Sequence, residues 1–206
     1  MLTVSDLACV RGDRRLFAGL EFAIEARNWI HLTGENGVGK TSLMRMLVGL
    51  APVEAGEIRW HGTPIRSLGD DYRRAVCYLG HHNALKEELT ARENLCVGAA
   101  VSGITLGAEG ADALLARVGL AGREQLPVRF LSQGQKRRVA LARLLWSEAP
   151  LWVLDEPFVA LDTAAVAWLA ATLAAHLAEG GMAIVTSHQE VTIAGNTAQQ
   201  LRLVRS

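Results

Sequence analysis

The sequence predicts an α/β domain built on a largely parallel sheet, and three observations lead there. Strand-like apolar runs alternate with helix-like stretches along most of the chain, the order that βα units produce. Two runs, Leu151-Trp152-Val153-Leu154 and Ala183-Ile184-Val185, are continuously apolar, as strands covered on both faces are. A glycine-rich segment, Gly34-Glu35-Asn36-Gly37-Val38-Gly39-Lys40-Thr41-Ser42, lies between an apolar run at 29–32 and a helix-like run at 43–50. That is the strand–loop–helix setting of a phosphate-binding loop, G-x-x-x-x-G-K-[ST].

Taken in order, residues 2–10 and 20–24 alternate apolar and polar, as half-buried strands do, with a turn signal at Arg11-Gly12-Asp13. The helix after the glycine-rich loop is expected to stop near Gly49, and Glu54-Ala55-Gly56-Glu57 reads as a turn. Ile58-Arg59-Trp60 reads as a strand closed by a turn at His61-Gly62, completing a small antiparallel layer. Val76-Cys77-Tyr78-Leu79 is a buried strand. Thr90-Ala91-Arg92-Glu93 is a capping box opening short helices up to Gly119, with breaks at Gly103, Gly107 and Gly110. Residues 85–130 therefore read as a helical subdomain inside one domain spanning 1–206. A second capping box, Ser132-Gln133-Gly134-Gln135, begins a helix to Trp146. Asp162 caps an Ala-rich helix, and a last strand is expected at 201–204.

Composition narrows the function. Half of the 206 residues are apolar and the formal net charge is zero. A proper core is therefore available, and neither a basic nucleic-acid groove nor a polybasic membrane patch is expected. Cys9, Cys77 and Cys96 are odd in number and form no C-x-x-C pair, which argues for a reducing compartment and against a zinc or disulfide framework. The N-terminus carries Asp6 early and does not read as a signal peptide. The Ala/Leu stretch at 164–177 falls short of the roughly 20 residues that span a bilayer. Trp146, Trp152 and Trp168 are expected in the core, and Lys136-Arg137-Arg138 on a solvated helix face or near a partner interface, not at a nucleic-acid site.

The glycine-rich loop directs successive N–H groups, with the positive end of the following helix, at phosphate oxygens. Lys40 is expected on the β- and γ-phosphates and the Thr41 hydroxyl on Mg²⁺. The apolar strand at Leu151–Leu154 ends abruptly in Asp155-Glu156. Strand C-termini line the ligand crevice of such a sheet. Asp155 is thus placed for the same Mg²⁺ and Glu156 for the attacking water, as general base.

The loop at 34–42, Leu131-Ser132-Gln133-Gly134-Gln135, Leu154-Asp155-Glu156-Pro157, Ala160-Leu161-Asp162 and Thr186-Ser187-His188 together resemble the ATP-binding subunits of ABC transporters over nearly the whole chain. The Leu-Ser-x-Gly-Gln element is the specific one. The resemblance implies a phosphate-loop NTPase fold of the ABC type and two half-sites per chain. ATP on the loop of one copy would meet Ser132, Gly134 and Gln135 of a second copy in a head-to-tail dimer. His188 would contact the γ-phosphate, and Asp162 would lie at the dimer interface.

Three positions depart from the family pattern. Gln133 replaces a glycine of the signature. His81, followed by His82, stands where a glutamine normally serves the metal, and its protonation would repel a cation. Arg11 takes the place of an aromatic that stacks on adenine, a contact a guanidinium can also make. The short length, Arg11 and the wording of Tyr78-Leu79-Gly80-His81, Leu151–Phe158 and Gln135–Leu144 resemble the ATPase subunits of bacterial cytochrome c maturation systems. This implies polytopic membrane partners, a peripheral place on the cytoplasmic face of the inner membrane, and hydrolysis coupled to haem export or release of a haem-loaded chaperone. Haem ligation by the chain itself is not expected, since no C-x-x-C-H is present. An exporter or importer of another small cargo, and a soluble ABC-type ATPase, are the alternative readings. A GTPase is disfavoured because no Asn-Lys-x-Asp occurs.

Overall fold

The computed structural model describes residues 1–12, 14–187 and 191–205. β1 (Leu2–Arg11) and β2 (Arg14–Ile24) form an antiparallel hairpin. β3 (Trp29–Thr33) leads through the glycine-rich loop into α1 (Lys40–Leu47). β4 (Ala55–Trp60) and β5 (Thr63–Pro64) complete a four-stranded sheet of order β2-β1-β4-β5. The short helices α2 (Ile65–Leu68) and α3 (Asp70–Arg74) then lead to β6 (Val76–Leu79). α4 (Ala91–Val101) and α5 (Ala108–Arg117) make the helical stretch, followed by α6 (Gln133–Leu141), β7 (Leu151–Leu154), α7 (Thr163–Ala178), β8 (Met182–Thr186) and β9 (Gln199–Arg202). The second sheet has the order β6-β7-β8-β3-β9, and each of its pairings is parallel.

The pleat of β7 shows why a continuous apolar run belongs in this sheet. Leu151 and Val153 face the core shared with α1 and the antiparallel layer, where Leu2, Phe17, Met44 and Leu47 pack. Trp152 and Leu154 face the opposite side, under Leu169, Leu173 and Leu177 of α7. Side chains alternate along a strand, so both sets must be apolar when both faces are covered. The buried residues of α7 recur every fourth position, Ala165 through Leu177, one stripe along the helix. A third cluster, with Leu95, Leu115, Val128 and Val139, holds α4 and α5 against α6. Asn94 is buried there and ties the loop before α4: its Nδ2 donates to the carbonyls of Lys86 and Thr90 at 2.9 and 3.0 Å. Among the described residues no helix is long and apolar enough to cross a membrane.

Both capping boxes are present, at Thr90 with Glu93 and at Ser132 with Gln135, and the Asp162 side chain caps α7. Several sequence expectations are corrected. Residues 54–57 are not a turn: from Ala55 onward they are strand, and Gly56 is a bulge position with φ 83°. A Cβ there would sit 2.3 Å from the Asp6 carbonyl oxygen, so the glycine answers a close strand approach. Gly110 lies inside α5 and breaks nothing. The helix from Ser132 tightens into a 3₁₀ turn at Ala142–Leu145, and the last strand ends at Arg202. Trp152 is buried, whereas Trp146 and Trp168 are half-buried against the third cluster.

Candidate active site

Parallel order puts the C-terminal ends of β3, β6, β7 and β8 along one edge, and the chain continues from them into the glycine-rich loop, Gly80-His81, Asp155-Glu156 and Ser187. Gly39 precedes α1, and no side chain caps that helix; its first-turn N–H groups are left for an anion. The Lys40 ammonium bends back over the loop, donating to the carbonyls of Gly34 at 2.6 Å and Glu35 at 3.2 Å.

Asp155 is only 2% exposed, and a buried carboxylate needs donors. It has them from two elements. The Thr41 hydroxyl of α1 donates to Oδ2 at 2.9 Å, and the Thr186 hydroxyl of β8 donates to Oδ1 at 2.9 Å. Thr186, fully buried, also accepts from the Glu156 N–H at 2.8 Å. Glu156 has φ 50°, a left-handed conformation that a non-glycine residue adopts only when its surroundings impose it. Burial raises the Tyr78 pKa above the usual phenol value, with the nearby Asp155 charge adding to the effect.

A cleft of about 450 Å³ is lined by Arg11, Lys40, Thr41, His81, Asp155 and Glu156, with Asn36, Gly37, Gly39 and Ser42 of the loop. The remaining loop residues are Gly34, the exposed Glu35 and Val38, whose side chain is buried in the core below. A second cleft of about 630 Å³ shares His81 and Glu156 and is walled by Gln133 and Lys136 of α6. Ser132, Gly134 and Gln135 are not brought into the first cleft. Ser132 and Gln135 close their capping box on each other, and a Cβ on Gly134 would sit 2.5 Å from the Ala160 carbonyl oxygen. His188 lies outside the described residues.

Lys136-Arg137-Arg138 is not a solvated face. Arg137 is 5% exposed and donates to backbone carbonyls of the Asp155–Pro157 turn. Lys136 pairs with Glu87 at 2.7 Å, and Arg138 pairs with Asp162. Amphipathic periodicity cannot foresee this, because the acceptors come from a strand tip remote in sequence. Thr186 was likewise missed as a partner of Asp155; it becomes one only once β8 is known to lie beside β7.

A hydroxyl and a carboxylate oxygen held 2.9 Å apart at the foot of an anion-binding loop form the oxygen donor set that suits Mg²⁺. These two oxygens could hold a divalent cation beside an anion on the loop. The ABC transporter family model matches residues 17–159. The chain belongs to that family. It is an ABC-type ATPase, a nucleotide-binding protein with the fold its sequence predicts. The chain is similar to the cytochrome c biogenesis ATP-binding export protein CcmA of Dechloromonas aromatica, 58% identical over 203 residues covering 98% of this chain and 100% of that one. A protein of the same name from Albidiferax ferrireducens is 54% identical, with 98% and 96% coverage. Among solved structures, a putative ABC transporter ATP-binding protein from Pyrococcus furiosus matches with a TM-score of 0.82 at 26% identity, covering 98% of this chain and 96% of that chain.

Proposed function

We propose that this ABC ATPase is the ATP-hydrolysing subunit of a membrane complex for cytochrome c biogenesis, driving haem export or release of a haem-loaded chaperone. The observation that carries the catalytic reading is the Thr41–Asp155 hydrogen bond at the foot of the loop. The cargo class rests on full-length likeness to proteins named for cytochrome c biogenesis.

In this reading the backbone of residues 34–42 cradles the phosphates of ATP. Lys40 leaves the Gly34 carbonyl for the β- and γ-phosphates, and Arg11 covers the base. Thr41 and Asp155 would hold Mg²⁺, and His81, which lines the same cleft, would serve as a further donor to it. When bound, Mg²⁺ neutralises charge on the phosphate oxygens. Glu156 orients the attacking water and takes its proton, and the family resemblance assigns the γ-phosphate contact to His188. Ser132, Gly134 and Gln135 lie outside the first cleft, so they serve the ATP of a second copy in a head-to-tail dimer. Polytopic membrane subunits hold the pair on the cytoplasmic face of a bacterial inner membrane, and the haem chaperone is met through them.

The test is Glu156→Gln. It should bind ATP, run as an ATP-dependent dimer in size exclusion, and leave c-type cytochromes without covalent haem on stained gels. A monomeric variant with full turnover would refute the site; normal cytochrome maturation beside lost turnover would refute the cargo.

A further inference from the structure

Arg137 has no role in the reading above, yet it is the buried cation nearest the reacting residues. A guanidinium has five N–H donors, and here each has an acceptor. Nη2 donates to the carbonyls of Asp155 and Glu156, both at 2.8 Å. Nε donates to Pro157 O at 3.4 Å. Nη1 donates to Gly80 O at 3.2 Å and to Asn83 Oδ1 at 3.0 Å. All the partners are neutral oxygens. Burial pushes the Arg137 pKa down, while the charges of Asp155 and Glu156 pull it up.

Two of those partners flank the left-handed residue Glu156, and two belong to the loop that carries His81. The donor sits on α6, whose N-cap is Ser132 and whose first turn contains Gly134 and Gln135. We infer that Arg137 is a positioning residue for hydrolysis: it locks the Asp155–Pro157 turn to the 80–83 loop and ties both to the signature helix. Glu156 and His81 are thereby held in one geometry at the cleft. Docking α6 against a second copy's ATP moves the chain's own Glu156 with it, which couples the two half-sites. This rests on the reading of Glu156 as base.

The experiment compares ATP turnover by the full chain carrying Arg137→Gln, Arg137→Lys, Asn83→Ala or Glu156→Gln. A misplacement of about 1 Å costs on the order of 100-fold in rate, so Arg137→Gln should lose roughly 10- to 100-fold in kcat with KM for ATP within about 2-fold. Arg137→Lys, with three donors, should recover part of the loss. Asn83→Ala frees only the loop and should lose about 3-fold in kcat at unchanged KM. Unchanged kcat in a folded Arg137→Gln, or a raised KM at unchanged kcat, would overturn the inference. If Arg137→Gln does not fold, Asn83→Ala decides alone, and wild-type kcat there would overturn it. Wild-type turnover in Glu156→Gln would instead overturn the reading of Glu156, which separates the two failures.

Discussion

Thr186→Val removes one hydroxyl from a fully buried site and keeps the side-chain shape. That hydroxyl donates to Asp155 Oδ1 at 2.9 Å and accepts from the Glu156 N–H at 2.8 Å. Losing the bond from the Glu156 N–H costs about 0.5–1.5 kcal/mol, and losing a hydrogen bond to a charged group costs about 1.5–3 kcal/mol. Asp155 retains the Thr41 hydroxyl, and the two losses share one centre. The combined penalty should therefore fall at about 3 kcal/mol rather than at the upper end of the sum. For a domain of this size, about 2–4 °C accompanies each kcal/mol, giving a fall in Tm of roughly 6–12 °C. Thr186→Ser keeps the hydroxyl and loses one buried methyl, about 1 kcal/mol. Calorimetry and urea unfolding of the two variants side by side measure the difference, and ATP turnover should fall further in the Val variant. A Val variant as stable as the Ser variant would refute the bridging role of Thr186.

Two other outcomes follow from single contacts. Gly134→Ala places a Cβ 2.5 Å from the Ala160 carbonyl oxygen, so the 157–161 backbone must retreat. Turnover should drop by about 10-fold or more, and steady-state ATPase rates equal to wild type would contradict this. His176 stacks on Trp152, with ring centroids 3.8 Å apart, and its Nε2 lies 3.2 Å from Met182 O. Burial lowers its pKa below 6.5, against weaker upward pulls from the Met182 carbonyl and Glu179. The unfolded chain therefore takes the proton first as pH falls. Stability from the neutral ring is fully present above the unfolded value of 6.5 and is lost as pH drops through the folded value. Melting temperatures measured from pH 7.5 to 5 should fall more steeply in wild type than in His176→Gln, and parallel slopes would count against it.

Much of the fold was legible because its signals are local. The turn before β2, the capping boxes at Thr90 and Ser132, and the Asp162 cap each depend on residues within a few positions. The glycine-rich loop and the acids after β7 were legible for the same reason, and the structure sets them around one cleft with Arg11 and His81. The errors fall where a partner is distant. The 54–57 segment looked like a turn because glycine signals turns, but its neighbour is Asp6 on β1. Lys136-Arg137-Arg138 looked solvated because three cations rarely bury, but Arg137 finds carbonyl oxygens at the tips of β6 and β7.

The sequence by itself determined most of the strands and helices, the glycine-rich loop and the acidic strand tip, since backbone geometry and apolar period are written in adjacent residues. Tertiary structure alone decided that Thr186 should hold Asp155, that Arg137 should gather the turn around Glu156, and that the Ser132 segment should lie outside the cleft formed by the loop. Those pairings depend on the order β6-β7-β8-β3-β9, and strand order is set by which buried faces pack together across the whole chain.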